Sequence, residues 1–191
     1  DPYAATSVLK LQSLVSGLGQ YNANLNMAKG SLGSAEQALS EAGTIFNQAY
    51  TIALSGANAS TDQTGLQAMA SQVASLQQQL LNLANTQGPS GQFIFAGQKN
   101  GTTPFAASAG ALTFSGDTNM IRVEAGPNQT VASTVDASNA LVTAYNKLET
   151  LRNNLLSGNA QALSTTSVSD MQNAQASLNQ LRSDVGTTLQ T

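Results

Sequence analysis

The sequence predicts a mainly α-helical fold with a small β insertion, built as an elongated antiparallel helical rod. Three observations lead there. An apolar heptad rhythm runs through the first 55 residues. The same rhythm returns in shorter stretches at 65–87 and 136–191. Between them, at 89–135, the period changes and Gly, Pro and Asn punctuate the chain.

The first helix starts at Asp1-Pro2, a capping carboxylate followed by proline at the first helical position. From there, positions 11, 14, 18, 21, 25, 28, 32, 35, 39, 42, 46, 49 and 53 alternate steps of three and four, and all are apolar. A helix from 3 to 55 would be about 80 Å long at 1.5 Å per residue, longer than a compact domain needs. One seam position carries Leu11, Leu18, Leu25, Leu32, Leu39 and Phe46. The other carries Leu14 and Tyr21, then Ala28, Ala35, Ala42 and Ala49. Large residues facing small ones let helices approach closely in the second half. The stripe reads as a bundle seam, each buried leucine gaining roughly 1.5–3 kcal/mol before entropy is subtracted. Gly17, Gly19, Gly30, Gly33 and Gly43 each weaken the helix by about 1 kcal/mol, so it needs partners.

Residues 56–65 form a loop, with Ser60 and Gln63 as a capping box. The second helix, 65–87, carries Leu66, Met69, Val73, Leu76, Leu80 and Leu83, and Gly88-Pro89 stops it. Next, "QFIFAG" reads as a strand and Asn100-Gly101 as a hairpin turn. "ALTFSG", "MIRVEA" and "QTVASTV" read as further short strands. Asp136 caps a third helix with Leu141, Ala144, Leu148, Leu151 and Leu155, which Gly158-Asn159 interrupts. Ser167 to Asp170 resembles a capping box opening a last helix with Met171, Ala174, Leu178, Leu181 and Val185. Residues 1–88 and 136–191 are thus read as one discontinuous rod domain, and 89–135 as its β-rich insertion.

Composition narrows the function. Only 9% of residues are charged, against about 25% in ordinary domains. Ser, Thr, Asn and Gln supply the polarity, and such a surface meets another protein without a large desolvation cost. Net charge is −3 and the seven basic residues are scattered singly, so no patch exists for nucleic acid. Cys and His are absent, which removes disulfides, the usual zinc sites and the Ser-His-Asp arrangement. No apolar run is long enough to predict a membrane span. The carboxylate pairs Glu36/Glu41 and Asp170/Asp184 lack the three- or four-residue spacing that sets neighbours together on a helix face. No phosphate-binding glycine loop is present. The residues therefore predict no catalytic group, no metal and no cofactor.

The order of elements and several short motifs resemble the flagellin superfamily, and within it the branch of hook–filament junction proteins, the third hook-associated proteins. Asp1-Pro2-Tyr3-Ala4-Ala5 is similar to the family's "DP-x-A-A" opening, and Glu36-Gln37-Ala38-Leu39 to its "E-x-A-L" helix. The most specific part is Leu80-Leu81-Asn82-Leu83-Ala84-Asn85 followed by Gly91-Gln92-Phe93-Ile94-Phe95-Ala96-Gly97, similar to "L-L-x-L-A-N…G-R-Y-L-F-A-G". Pro104-Phe105 and Phe114-Ser115-Gly116-Asp117 resemble the "P-F" and "Y-x-G-D" that follow, and Leu178 to Gly186 the closing "R-x-x-[LV]-G-A-R" helix. Gln92 replaces the usual arginine. Ser55 to Ala59 lacks the usual "N-G-T". The insertion is short, and flagellin's arginine-rich immune-recognition segment has no match around Phe46 to Leu54.

The resemblance implies a non-catalytic structural subunit of the bacterial flagellum, joining hook to filament. It implies contacts with the first hook-associated protein, with flagellin and with copies of itself, and export by the flagellar type III route without a cleaved signal. It also implies coiled-coil segments before and after this chain, which supply polymerising contacts and leave room for an export chaperone, so the chain alone should be monomeric. The alternative is a filament flagellin or another type III-exported helical protein; "GQFIFAG" argues against flagellin, whose second helix usually leads to "F-N-G".

Overall fold

The computed structural model describes residues 2–58 and 62–190, with the side chain of Pro2 left aside. The expected caps at Asp1 and Ser60 lie outside the described residues. Helix α1 spans Pro2–Gly56, α2 Gln63–Ala84, α3 Ser138–Leu156 and α5 Val168–Gln190. Between α3 and α5 lie a single turn, α4 (Ala160–Ala162), and a π-helical segment, Leu163–Ser167.

The four long helices pack around one core, α1 against α2 and α5, and α3 against α2 and α5. Their directions alternate. Gln63 Nε2 at the start of α2 donates to Leu156 O at the end of α3 (3.1 Å). Gln175 on α5 reaches Asn47 on α1 (2.8 Å), while Arg182, further along α5, reaches back to Glu36. Leu39, Phe46, Leu80, Leu148, Leu151, Met171 and Leu178 are all fully buried at the centre. Ala28, Ala35, Ala42, Ala49 and Ala53 are buried as well, and lie where neighbouring helices come close to α1. At the far end a Cβ on Gly56 would stand 2.5 Å from Leu155 Cδ2, so α1 closes directly on the end of α3.

Several caps differ from the sequence expectation. α2 begins at Gln63, not Gly65, because Asp62 is its N-cap: Asp62 Oδ1 accepts the Gly65 N–H at 2.8 Å. Asp136 sits one residue too early to cap α3; its carboxylate accepts the N–H and Oγ–H of Ser138 instead. Ser167 does not open the last helix. The π-helical segment runs straight into α5, and buried Ser167 Oγ accepts from Asn154 Nδ2 at 3.0 Å, pinning α3 to that junction. Asn159 Oδ1 supplies the side-chain cap at this interruption, accepting the Ala162 N–H.

The β region is two separate hairpins. β1 (Phe105–Ser108) pairs with β2 (Ala111–Phe114), and β3 (Arg122–Gly126) with β4 (Gln129–Ala132), the latter pair irregular between Glu124 and Gly126. "ALTFSG", "MIRVEA" and "QTVASTV" thus hold strands, but "QFIFAG" does not. Gly91 and Gly97 take φ of +74° and +62°, turning the chain on either side. Phe93 is left in one isolated bridge with Gln87. The hairpin turn is also elsewhere: Ala109 (φ +50°) and Gly110 (φ +81°) join β1 to β2, while Asn100-Gly101 forms a turn within the preceding loop.

Candidate assembly surface

The crossover from α2 to β1 carries the most specific sequence motif, and its geometry explains the residues. Asn85, the C-cap of α2, binds the Phe105 backbone from both sides: Nδ2 donates to Phe105 O (2.9 Å) and Oδ1 accepts Phe105 N–H (3.0 Å). Ile94, Phe95, Ala96 and Gly97 are buried, Phe93 is half-buried, and Gly91 is exposed. The Phe105 and Phe114 rings meet at 5.0 Å, tilted by 41°. A Cβ on Gly97 would fall 1.9 Å from Asp117 O, and Asp117 N–H donates to Ala96 O at 3.0 Å. The "FAG" and "SGD" segments are therefore one interlocked turn, and only glycine fits its tightest point. The first hairpin docks on α3, where Asn146 Oδ1 accepts from Leu112 N (3.4 Å) and Gly110 lies over Glu149.

Charged side chains are used inside the molecule. Arg182 binds Glu36 (2.6 Å), Lys147 binds Asp170 (3.3 Å) and Arg152 binds Glu149 (3.1 Å). Glu149 also accepts from Gln77 Nε2 on α2 (3.0 Å), so it ties α2, α3 and Arg152 together. Glu41 and Asp184 accept from Gln37 and Gln180. The four carboxylates read as possible pairs thus each have a different partner. Burial pushes the Tyr145 hydroxyl pKa above its ordinary value; Glu149 adds to this and Arg152 opposes it. Among the described residues no group of His, Cys, Asp or Glu is placed to hold a metal ion, and no helix is long and apolar enough to cross a membrane.

The seam residues separate into two sets. Leu32, Leu39, Phe46, Leu76, Leu80, Leu148, Leu151, Leu178 and Val185 are buried, and Tyr21, Leu25, Leu83 and Leu181 are half-buried. Leu11, Leu14 and Leu18, by contrast, are 60%, 63% and 61% exposed among the described residues, with Val15 at 68%. The reason is positional. Leu25 shares a crevice with Val131 and Leu189, and Asn24 donates to Glu124 O. Before Tyr21, no described element covers the apolar face of α1.

A second surface feature is a lack of charge. No charged residue occurs between Lys10 and Lys29, between Glu41 and Asp62, or between Asp62 and Lys99. The second and third runs include the last turns of α1 and all of α2. They meet at a groove of about 480 Å³ with Ile52 and Leu76 among its lining, flanked by Gln48, Gln72, Ser75 and Gln79. Sequence reasoning noted the low overall charge but not its segregation; the spacing of the charges was the available signal.

Four long helices, a tightly locked β crossover and an uncharged α2 define the class of fold. The chain belongs to the flagellin family: the family described as the bacterial flagellin N-terminal helical region matches residues 1–100. It is 28% identical over 136 residues to flagellar hook-associated protein 3 of Escherichia coli K12, covering 71% of this chain and 43% of that relative. It therefore spans less than half the length of that relative. Among solved structures, FlgL of Xanthomonas campestris is 28% identical with a TM-score of 0.62, covering 66% of this chain and 42% of that one. A Vibrio parahaemolyticus chain assigned to the flagellar hook-associated proteins matches in fold over 100% of this chain and 88% of its own, with a TM-score of 0.89 at 24% identity. FlgL of Bacillus cereus matches over 97% and 91%, with a TM-score of 0.82 at 19% identity.

Proposed function

We propose that this chain is the rod portion of a non-catalytic flagellar subunit that joins hook to filament. The observation that carries the reading is the crossover. The segment "GQFIFAG", which resembles the junction branch and not filament subunits, meets "FSGD", which resembles the family's "Y-x-G-D", at Gly97 and Asp117. The 28% identity to E. coli flagellar hook-associated protein 3 supports it. On this reading residues 1–88 and 136–191 form the rod and 89–135 an insertion. Its neighbours are the first hook-associated protein, flagellin and its own copies. It is exported by the type III route, by way of an export chaperone bound outside this chain, and stands outside the cell. A rod packed along a continuous apolar seam suits a body that transmits torque.

The test is deletion of the gene in the source bacterium, with cells and medium examined by electron microscopy and gel electrophoresis. The expected result is hooks without filaments and flagellin lost to the medium. Intact filaments would overturn the reading and favour a minor flagellin.

A further inference from the structure

We propose that Asn100 is a modification site, deamidated with the Gly101 backbone nitrogen as nucleophile and water as co-reactant. Asparagine is among the chemically labile residues, and Asn100-Gly101 is the one Asn-Gly pair in the sequence. The pair stands in the irregular loop before β1, so neither helix nor strand pairing holds its backbone. Gly101 is exposed, and among the described residues its N–H has no hydrogen-bond acceptor. A Cβ added at Gly101 would meet nothing within 4 Å, so the approach to this nitrogen is open. The turn is closed by the N–H and Oγ–H of Thr102 on Lys99 O, at 3.5 and 3.4 Å, the long limit of a hydrogen bond. Other asparagines lack this combination. Alanine follows Asn22 and Asn173, but both lie inside helices, where the next N–H is already bonded. Asn119 and Asn128 lie outside helices, but methionine and glutamine follow them.

The step needs no oxidant and no further reagent. Gly101 N loses its proton and bonds to Asn100 Cγ. The Cγ–Nδ2 bond breaks, and Nδ2 leaves as ammonia. The product is a cyclic imide. Water opening the ring at Cγ gives aspartate. Water opening it at the main-chain carbonyl carbon gives isoaspartate, whose main chain runs through Cβ and Cγ. Either product adds one negative charge to a chain of net charge −3. Two contacts give the position its consequence. Asn100 Nδ2 donates to Gln92 Oε1 and Asn100 O accepts the Phe93 N–H, both at 3.0 Å. Deamidation removes the first donor. Isoaspartate also turns the carbonyl that holds Phe93 into a pendant carboxylate and lengthens the main chain by a methylene. Both changes fall within the crossover, so the reaction loosens it as the protein ages.

Peptide mapping by mass spectrometry, on chain kept folded in mildly alkaline buffer, tests the site. Conversion should appear at Asn100 before any other asparagine, with isoaspartate detected by labelling with an isoaspartate methyltransferase. Gly101→Ala should slow it by roughly tenfold or more, because a methyl group hinders the attacking nitrogen. Alanine fits there, since the φ of Gly101 lies outside the left-handed region and its Cβ would meet nothing within 4 Å. Unchanged thermal unfolding of Gly101→Ala therefore separates a slowed reaction from a lost fold. No conversion in the folded chain, whether or not urea-unfolded chain converts, would overturn the site. So would an unchanged rate in Gly101→Ala, or earlier conversion at another asparagine. Isoaspartate-bearing chain, separated by its added charge, should unfold at a lower temperature than Asn100→Asp, which has the charge without the added methylene. Equal midpoints would overturn the loosening. None of these results touches the gene-deletion phenotype, which tests the junction role alone.

Discussion

Asn85 and Phe105 are joined by two hydrogen bonds, the Asn85 carboxamide satisfying both the N–H and the C=O of the Phe105 backbone. Phe105 is buried, so water cannot replace either bond. Asn85→Ala should destabilise the fold by about 2–4 kcal/mol, because two buried backbone groups lose their partner. Asn85→Asp keeps an acceptor for the N–H but sets a carboxylate oxygen against the carbonyl, and at neutral pH it should recover little of that loss. Urea unfolding followed by circular dichroism measures both.

Gly97 should tolerate no side chain. Its φ is +62°, and an added Cβ would collide with Asp117 O. Gly97→Ala should cost on the order of 3 kcal/mol, from backbone strain and forced movement of the 114–117 turn. Gly33 is the internal comparison. It is helical and an added Cβ meets nothing within 4 Å, so Gly33→Ala should stabilise by up to about 1 kcal/mol. Thermal unfolding of the pair should shift in opposite directions.

Alkaline pH should weaken the protein through Tyr145. Burial raises its pKa in the folded state above the ordinary 10.0. The folded chain then retains a proton that the unfolded chain releases. The contribution is fully present below the unfolded pKa and is lost as pH rises through the folded one. Tyr145→Phe should therefore flatten the fall in stability above pH 10, measured as denaturant midpoint against pH.

Arg182 and Glu36 bridge α5 to α1, but their side chains are 36% and 37% exposed. Solvent screening holds such a pair to under about 1 kcal/mol. Arg182→Ala should move the urea midpoint only slightly, and the difference from the unsubstituted chain should shrink further in high salt.

Periodicity made the long helices legible, since α1 needs a partner along its seam and its sequence repeats accordingly. Periodicity does not say whether a partner is present. Leu11 and Leu39 occupy the same heptad position, yet one is exposed and the other fully buried. Caps were harder, because Asp62, Asp136 and Ser167 all have suitable side chains, and backbone geometry selects among them. "QFIFAG" is a short apolar run that periodicity alone cannot assign; the two positive-φ glycines decided it against a strand. β1 escaped notice because Ala109-Gly110 is an atypical pair for a turn with two positive φ values, whereas Asn100-Gly101 is the favoured one. The uncharged groove arises from residues of α1 and α2 that only the fold brings together.

Immunogold electron microscopy of intact flagella with antibody raised against this chain tests the central claim most directly. A narrow band of label where hook meets filament is the predicted result. Label distributed along the filament would contradict it and identify the chain as part of a filament subunit.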